Sequence, residues 1–561
     1  MKQGHKKYKA FETITFPLRS WPESRLKKAP VWCSVDLRDG NQALVTPMNL
    51  QEKIDFFKML IDVGFKEIEV GFPSANQTEY EILRALIEGN HIPDDVTVQV
   101  LVQAREHLIQ KTFEALEGCP RAILHFYNST SALQRKVVFQ KDMQGIIDIA
   151  VSSALLIREL AEKSAVDIRY EYSPESFNGT EGDNALLICE AVLDALGATA
   201  EQPAIINLPN TVEQAMPNVY ADQVEYFIKG LSNRARAIIS IHPHNDRGTG
   251  IAAAELALLA GAERVEGTLF GNGERTGNVD LMAMALNMFT QGIDPMLDFS
   301  HLNQIKDIYE RCTKMHVHER HPYAGELVFT AFSGSHQDAI NKGSRYSKEH
   351  GAEYWEIPYL PIDPKDVGRE YEPIIRINNQ SGKGGAAYVM QGFGYTLPKN
   401  MHPEFGKIVK AYCDRTGAEI SAEQVYELFS EEYITVESPF KLIKHKVSDE
   451  SGGQSRFIGI LEENGFEKAV SGSGNGPIDA FFNALTDVGI RHYEFVSYSE
   501  HAVSAGADSK AVAYIELKAP GGETCFGVGL DNNITMASIK GVLCAINRNL
   551  RKQDGQSNET V

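Results

Sequence analysis

Two histidines and an aspartate carry the clearest chemical signal in this sequence. His242 and His244 lie two residues apart in HPHND, and Asp39 follows the apolar run WCSVDL. Residues two apart on an extended chain point to the same side, so both imidazoles face a space that Asp39 can close from a neighbouring strand end. Two imidazoles and a carboxylate suit a divalent metal ion. An H-x-H alone is a weak signal, because histidines with a purely structural role are common.

Two further polar residues that could act beside a metal ion also follow apolar runs. Arg38 precedes Asp39, and Glu175 follows the run DIRYEY. A fixed cation stabilises negative charge that develops during a reaction, and a carboxylate can accept a proton. For Arg38 and Asp39, an ion pair that caps a strand end is the alternative. The glycine-rich residues 271–278 are either a flexible loop or a cradle for an anionic cofactor.

These groups need a framework that brings strand ends together. In the first 290 residues, short β-branched runs alternate with amphipathic segments of helical period, the pattern of βα units around a parallel sheet. Because eight units are present and no G-x-G-x-x-G follows the first strand, we predict a (β/α)8 TIM barrel with its working groups at the C-terminal strand ends. The predicted strands are 32–37, 67–72, 96–102, 121–127, 167–172, 204–208, 237–242 and 264–269.

The rest of the chain changes character twice. After a catalytic barrel domain over 1–325, residues 326–432 have short helical stretches and are interpreted as connecting subdomains. Residues 433–551 predict an α+β domain, with strands such as VAYIELKA and TCFGVGL and a helix that begins at Pro477. The polar residues 552–561 are expected to be a disordered tail. A second H-x-H, at 316–318 with His321 nearby, is interpreted as polar surface between domains.

Composition limits the partners and the compartment. The net charge of -20 disfavours nucleic acid and anionic membranes, because like charges repel. Seven scattered cysteines without a C-x-x-C pair suggest neither a disulfide framework nor a thiolate metal cluster. The N-terminal residues have no apolar signal core, and no stretch approaches ~20 apolar residues. We therefore expect a soluble cytoplasmic protein with no nucleic-acid or membrane partner.

Several longer strings resemble one enzyme family. They are WCSVDLRDGNQAL, EVGFPSA, YEYSPE, LPNTVE, HPHND, GNGERTGN, AFSGSHQDAINKG, PYLPIDP and SGKGG, and together they are similar to 2-isopropylmalate synthases over nearly the whole chain. The R-D-G-x-Q, H-x-H and G-N motifs also occur in homocitrate synthases, citramalate synthases and hydroxymethylglutaryl-CoA lyases. The strings NLPNTVE and SGSHQDAINKG are more restricted and resemble the longer type of isopropylmalate enzyme.

The resemblance implies a function. The expected reaction is a metal-dependent condensation of acetyl-CoA, as cosubstrate, with 2-ketoisovalerate and water, which gives 2-isopropylmalate and CoA. This is the first committed step of leucine biosynthesis. The family further implies that leucine inhibits through the C-terminal domain. It also implies a homodimer in which the connecting region of one subunit reaches over the barrel of its partner.

The resemblance also assigns roles to residues at matching positions. The ligands of the divalent ion, which is zinc, magnesium or manganese, are Asp39, His242, His244 and Asn278. The catalytic residues are Arg38 and, as an acid/base group, Glu175, His336 and Tyr359. The keto acid is contacted by His125 and Thr211, and its side-chain pocket is lined by Leu101, Tyr127, Ser173 and Asn207. The leucine pocket includes Tyr498, Ala502, Ala505 and Ala507.

Two other classes of protein could use the same barrel and the same polar residues. A retro-Claisen lyase on the same barrel is disfavoured by the long C-terminal domain and by the absence of cysteine from residues 271–278. A catalytically inactive metal-binding regulator is disfavoured because Arg38, Glu175, His242 and His244 occur together.

Overall fold

The computed structural model divides the chain into two compact units. It describes residues 4–7, 11, 13–331, 333–371, 385–416, 420–450, 453–503 and 509–558. The first unit comprises residues 1–329 and 360–371, and the second comprises residues 330–359 and 372–561. In the described part of the chain, no helix is both long and apolar enough to span a membrane.

The first unit is the predicted barrel. Its strands are β1 Val31–Ser34, β2 Glu67–Gly71, β3 Thr97–Gln103, β4 Arg121–Ser129, β5 Asp167–Glu175, β6 Ala204–Asn210, β7 Ala237–Pro243 and β8 Arg264–Gly267. All pairs are parallel, and β8 pairs with β1, which closes the barrel. The eight-stranded fold is therefore confirmed. Parallel strands in a closed barrel direct all their C-terminal ends to one face, where active sites of this fold form.

Ten α-helices in the described part of the first unit follow or flank these strands. They are α1 Leu50–Val63, α2 Gln77–Glu88, α3 Glu106–Ala115, α4 Ala132–Gln134, α5 Met143–Lys163, α6 Gly182–Leu196, α7 Pro217–Gly230, α8 Gly250–Leu259, α9 Leu281–Phe289 and α10 Leu302–Thr313. Helix α1 shows how local sequence sets the bounds. Asn49 and Glu52 form a capping box at its start, and Gly64 ends it with a φ of 112°.

Strand β1 ends earlier than predicted. The expected strand 32–37 stops at Ser34, and Asp36–Gly40 form a single turn of π-helix. Asp36 stabilises this turn because its carboxylate accepts a hydrogen bond from the backbone N–H of Leu269 beyond β8. Single π-helical turns are frequent at functional sites. Here the turn carries Arg38 and Asp39.

The second unit contains helices and two antiparallel sheets. Its helices are α11 Gly334–His350, α12 Gly385–Gly392, α13 His402–Thr416, α14 Ala422–Phe429, α15 Pro477–Ala484 and α16 Ile534–Asn558. Its strands are β9 Phe440–Asp449, β10 Ser455–Glu463, β11 Phe466–Gly474, β12 Glu494–Ala502, β13 Ala511–Lys518 and β14 Thr524–Asp531. The sheet orders are β11-β10-β9 and β12-β13-β14. The strands predicted from VAYIELKA and TCFGVGL and the helix start at Pro477 are confirmed.

The division into units differs from the predicted boundaries at 325 and 432. Residues 360–371 belong to the barrel unit, where Arg369 donates hydrogen bonds to the carbonyl oxygens of Tyr323 and Gly325. Phe405 and Phe429 of α13 and α14 share one hydrophobic core with Phe526 of β14. A boundary at 432 would therefore divide a buried core.

The C-terminal helix overlaps the predicted disordered tail 552–561, which stays a prediction. Helix α16 continues through the polar residues 552–558, past the predicted boundary at 551. Earlier in the helix, Ile539, Val542 and Ile546 are buried in a core shared with β13. The packed turns provide a nucleus from which the polar end extends, since adding residues to an existing helix is far easier than starting one.

Candidate metal centre and active site

Asp39, His242 and His244 come together at the C-terminal end of the barrel. The His242 Nε2 atom lies 3.2 Å from Asp39 Oδ2, and the His244 Nε2 atom lies 3.8 Å from the same oxygen. All three side chains are buried, and their candidate ligand atoms lie within 4.8 Å of one another. The π-helical turn presents Asp39, β7 carries His242, and His244 follows β7 in an isolated bridge. Because the chain stays extended through both positions, the two imidazoles lie on one side.

The charges of this cluster favour a cation. Burial raises the pKa of Asp39, but Arg38 and the two histidines outweigh it and hold that pKa well below its usual range. Burial and the neighbouring charge of His242 lower the pKa of His244 to about 4. For His242, burial lowers the pKa, whereas hydrogen bonds to Asp39 and Glu266 raise it to about 9. Because a metal ion binds neutral imidazole, His242 must release its proton on binding.

Asn278 lies beside His244 at the end of the loop 271–278. It forms an antiparallel bridge with His244, and Gly277 accepts a hydrogen bond from the backbone N–H of Asn245 at 3.0 Å. Gly277 has a φ of 96°, and a Cβ atom there would lie 1.8 Å from the Gly271 carbonyl oxygen, so only glycine fits. These contacts hold Asn278 beside His244.

The donor set fits a divalent ion. The Asn278 Oδ1 and His244 Nδ1 atoms are buried and have no hydrogen-bond partner among the described residues. Buried polar atoms normally have partners, so atoms of this kind beside a carboxylate and a second imidazole are consistent with a cation site. Carboxylate, amide oxygen and imidazole ligands are compatible with zinc, manganese or magnesium.

A cavity of about 260 Å³ opens beside this cluster. Arg38 and Glu175 both line it. The Arg38 guanidinium contacts two carboxylates, since Nη1 donates to Asp39 Oδ1 at 2.8 Å and Nε donates to Glu69. The Glu175 carboxylate accepts a hydrogen bond from the Ser129 hydroxyl. A metal centre, a fixed cation and a carboxylate therefore face one space.

The six residues expected to contact the keto acid also line this cavity, namely Leu101, His125, Tyr127, Ser173, Asn207 and Thr211. Three of them form a chain of hydrogen bonds. Ser173 Oγ lies 2.7 Å from His125 Nε2 and accepts from Asn207 Nδ2 at 3.0 Å. Thr211 Oγ1 accepts from the backbone N–H of Ser176. This wall is therefore held in place by its own contacts.

Sequence reasoning missed a group of charged residues inside the barrel. Glu69, His125 and Glu266 lie together, but Arg38 and Arg264 bind the two carboxylates, so we interpret this cluster as structural support and not as a second metal site. Also missed were the cavity-lining residues Gln42, Phe72, Pro209, Glu274 and Arg275. Charged residues at alternate positions of otherwise apolar strands, such as RVEG, were the available signal.

His336 and Tyr359 belong to the second unit, so the structure does not place them among the residues that line the cavity. Their rings stack with centroids 4.0 Å apart. In the second H-x-H, the His316 and His318 side chains are exposed. The His321 side chain is 17% exposed, and its Nε2 atom lies 3.2 Å from Asp280, the residue that caps α9. His321 therefore supports a helix start.

Tyr498 lies on β12 and lines a small cavity in the second unit. The cavity measures about 280 Å³, and its other walls are Ile478, Asp479, Phe482 and Phe495. Ala502 is the last residue of β12 and is not part of this lining. Ala505 and Ala507 lie outside the described residues. A mostly apolar space with one carboxylate and one phenol suits a small amphiphilic ligand.

Family comparisons cover most of the chain. Residues 29–308 match the HMGL-like family. Residues 326–391 match the alpha-isopropylmalate synthase post-catalytic domain-like family, and residues 419–550 match the LeuA allosteric (dimerisation) domain.

Relatives of known function match at full length. The 2-isopropylmalate synthase of Clostridium acetobutylicum is 55% identical over 557 residues, which are 98% of this chain and 100% of the relative. That of Rhodospirillum rubrum is 53% identical over 547 residues, 97% of this chain and 98% of the relative. Among solved structures, the hydroxymethylglutaryl-CoA lyase of Pseudomonas aeruginosa matches 53% of this chain and 98% of its own, with 17% identity and a TM-score of 0.44.

Proposed function

The chain belongs to the 2-isopropylmalate synthase family, and from this premise we propose that it catalyses the reaction of that family. It condenses acetyl-CoA with 2-ketoisovalerate and, with water, releases 2-isopropylmalate and CoA. This reaction is an acyl transfer in which the acyl group becomes an alkyl group, and it commits carbon to leucine synthesis. The observation that carries the proposal is one cavity in which Asp39, His242 and His244 face Arg38 and Glu175.

The electrophile is activated where the C-terminal ends of β1, β7 and β8 meet. Asp39, His242, His244 and Asn278 would hold the divalent ion. When bound, the ion supplies Lewis-acid polarisation of the keto oxygen and neutralises alkoxide charge. Arg38 provides a permanent positive charge at the same place, and two carboxylates fix its largely buried side chain.

The nucleophile requires removal of a proton from the methyl group of acetyl-CoA. Glu175 is a carboxylate at the cavity wall that can accept this proton, and the hydrogen bond from Ser129 orients it. We include His336 and Tyr359 in the acid/base group. Their direct stacking supports a shared role, because each ring restricts the orientation of the other.

The keto-acid pocket supports one specific prediction. Leu101 is buried at the cavity wall, where added volume would meet the branched side chain of 2-ketoisovalerate before the methyl group of pyruvate. One methylene group in an apolar pocket is worth roughly 10- to 200-fold in selectivity. Leu101→Phe is therefore expected to lower kcat/KM for 2-ketoisovalerate, relative to pyruvate, by about 10-fold or more.

The measurement is release of free CoA from acetyl-CoA with a panel of 2-keto acids, and the same assay tests the proposed function. The wild-type chain should prefer 2-ketoisovalerate. Preference for pyruvate or 2-ketoglutarate would overturn the substrate assignment, and cleavage of a hydroxyacyl-CoA without keto acid would favour a lyase. Leu187→Phe, on the exposed surface of α6, is the control and should not change the preference.

We further propose that leucine binds the cavity lined by Tyr498 and inhibits the enzyme. Its apolar walls suit an isobutyl side chain, and Asp479 is the acidic group available to an ammonium ion. The match to an allosteric (dimerisation) domain over 419–550 supports both an effector and a homodimer. Seven free, buried cysteines support a reducing compartment, the cytoplasm.

The Tyr498→Ala variant tests the effector site. Loss of an aromatic wall is expected to weaken leucine binding by roughly 10-fold or more, because burial of such a ring contributes about 1.5–3 kcal/mol. Titration calorimetry with leucine gives the affinity, and turnover without leucine should remain unchanged. Phe466→Ala, whose side chain is 75% exposed in the same unit, is the control. Unchanged leucine binding by Tyr498→Ala would place the effector elsewhere.

A further inference from the structure

Glu266 lies at the centre of the polar interior of the barrel. It is fully buried on β8, and its carboxylate accepts hydrogen bonds from four side chains. Oε2 interacts with His242 Nδ1 at 2.8 Å and accepts from Asn207 Nδ2 at 3.0 Å. Oε1 accepts from Gln99 Nε2 at 2.8 Å and from Arg264 Nη1 at 2.9 Å. No role in the reaction has been assigned to it above.

Arg264 fixes the position of this carboxylate. The Arg264 side chain is fully buried two residues before Glu266, so both point into the barrel. Its guanidinium also binds Glu67 at 2.6 Å and the Gln99 side-chain oxygen at 2.7 Å. A planar guanidinium bound on several sides has one available orientation. Glu266 therefore cannot turn away from His242 without breaking contacts with neighbouring strands.

The contact with His242 sets which ring nitrogen can bind a metal ion. A carboxylate at Nδ1 keeps the proton of a neutral imidazole on Nδ1 and leaves the lone pair on Nε2. The Nε2 atom is the one that faces Asp39 at 3.2 Å. The carboxylate also makes the imidazole a stronger donor to the ion and fixes the plane of the ring.

The same carboxylate oxygen reaches the keto-acid wall. Asn207 Nδ2 is shared between Glu266 Oε2 and Ser173 Oγ, each at 3.0 Å, and Ser173 contacts His125. Displacement of Glu266 would therefore disturb His242 and Asn207 together. These two residues belong to the metal cluster and to the pocket wall, respectively.

We propose that Glu266 is a positioning residue that holds His242 in the metal-binding tautomer and, through Asn207, aligns the keto-acid wall with the metal centre. The second half rests on the proposed function, whereas the first concerns metal binding alone. Arg264 acts as the support that keeps the Glu266 carboxylate in place.

The test compares Mn²⁺ binding by three variants of the full chain. Glu266→Gln removes the charge that faces His242. Glu266→Asp keeps the charge but shortens its reach by one methylene group. Glu67→Gln is the matched control, because it removes another buried carboxylate partner of Arg264, one whose described hydrogen bonds do not include His242 or Asn207. Metal-free protein is titrated with Mn²⁺ while free Mn²⁺ is measured by electron paramagnetic resonance.

We expect Glu266→Gln to weaken Mn²⁺ binding by roughly 10- to 100-fold, as is usual when the partner of a metal-bound histidine is removed. The Mn²⁺ affinity of Glu266→Asp should lie between those of Glu266→Gln and the wild-type chain. Glu67→Gln should bind Mn²⁺ almost as tightly as the wild type does. An equal loss of Mn²⁺ affinity in Glu266→Gln and Glu67→Gln would show only a general effect of interior charge and would overturn the proposal. A wild-type Mn²⁺ affinity in Glu266→Gln would also overturn it.

Two further measurements separate the possible failures. Circular dichroism and thermal unfolding establish that each variant is folded; if Glu266→Gln is not, the comparison of Glu266→Asp with the wild type decides. The KM for 2-ketoisovalerate, measured with saturating Mn²⁺, should rise in Glu266→Gln, and an unchanged KM would overturn the alignment through Asn207. Absence of synthase activity in the wild-type chain would refute the proposed function but leave the Mn²⁺ comparison valid.

Discussion

The His242→Ala variant is expected to lose turnover by roughly 10³-fold or more while the barrel remains folded. A bound metal ion contributes several kcal/mol of transition-state stabilisation, and each 1.36 kcal/mol is about tenfold in rate. The fold should persist because His242 lies near the C-terminal end of β7 and not in the apolar layer between strands and helices. Glu266 would keep its contacts with Asn207, Gln99 and Arg264.

Metal content after dialysis and the rate of CoA release are the two measurements for this variant. His316→Ala is a matched control, because His316 also belongs to an H-x-H pair but its side chain is 93% exposed. It should retain both metal and activity. Full metal occupancy together with a wild-type rate in His242→Ala would remove His242 from the metal centre.

The Arg38→Lys variant is expected to lower kcat by roughly 10²-fold or more and to change keto-acid binding only modestly. Lysine keeps the positive charge but has a single nitrogen, whereas Arg38 uses two nitrogens to contact Asp39 and Glu69 at once. A lysine could satisfy only one of these carboxylates in the same geometry. The charge would then be displaced from the position where enolate or alkoxide charge develops.

Steady-state kinetics with 2-ketoisovalerate separate kcat from KM for this variant, and metal analysis shows whether Asp39 still binds its ion. Arg158→Lys is the control, since Arg158 is on the surface of α5, where it pairs with Glu162. It should leave kcat unchanged. A wild-type kcat in Arg38→Lys with bound metal would mean that Arg38 serves to hold the π-helical turn and not to stabilise charge.

Much of the fold was predictable because buried positions are apolar and recur at the period of the strand or helix that contains them. Strands buried on both faces are continuous apolar runs, and the apolar residues of the surrounding helices recur with a helical period. The eight predicted strands therefore agree with the observed bounds to within a few residues. The grouping of His242 with His244 was predictable for a related reason. The two-residue spacing of His242 and His244 fixes their common side before any tertiary contact forms.

The sequence by itself therefore determined the barrel, the face on which its chemistry takes place and most residues that line the cavity. Only the tertiary structure decided the π-helical turn at Asp36–Gly40, the return of residues 360–371 to the barrel unit and the network around Glu266. These features depend on contacts between distant positions: Glu266 and Gln99 are 167 residues apart, and Leu269 contacts Asp36 across 233 residues. Local periodicity records which side of a segment is buried, but it does not record which distant side chain meets it there.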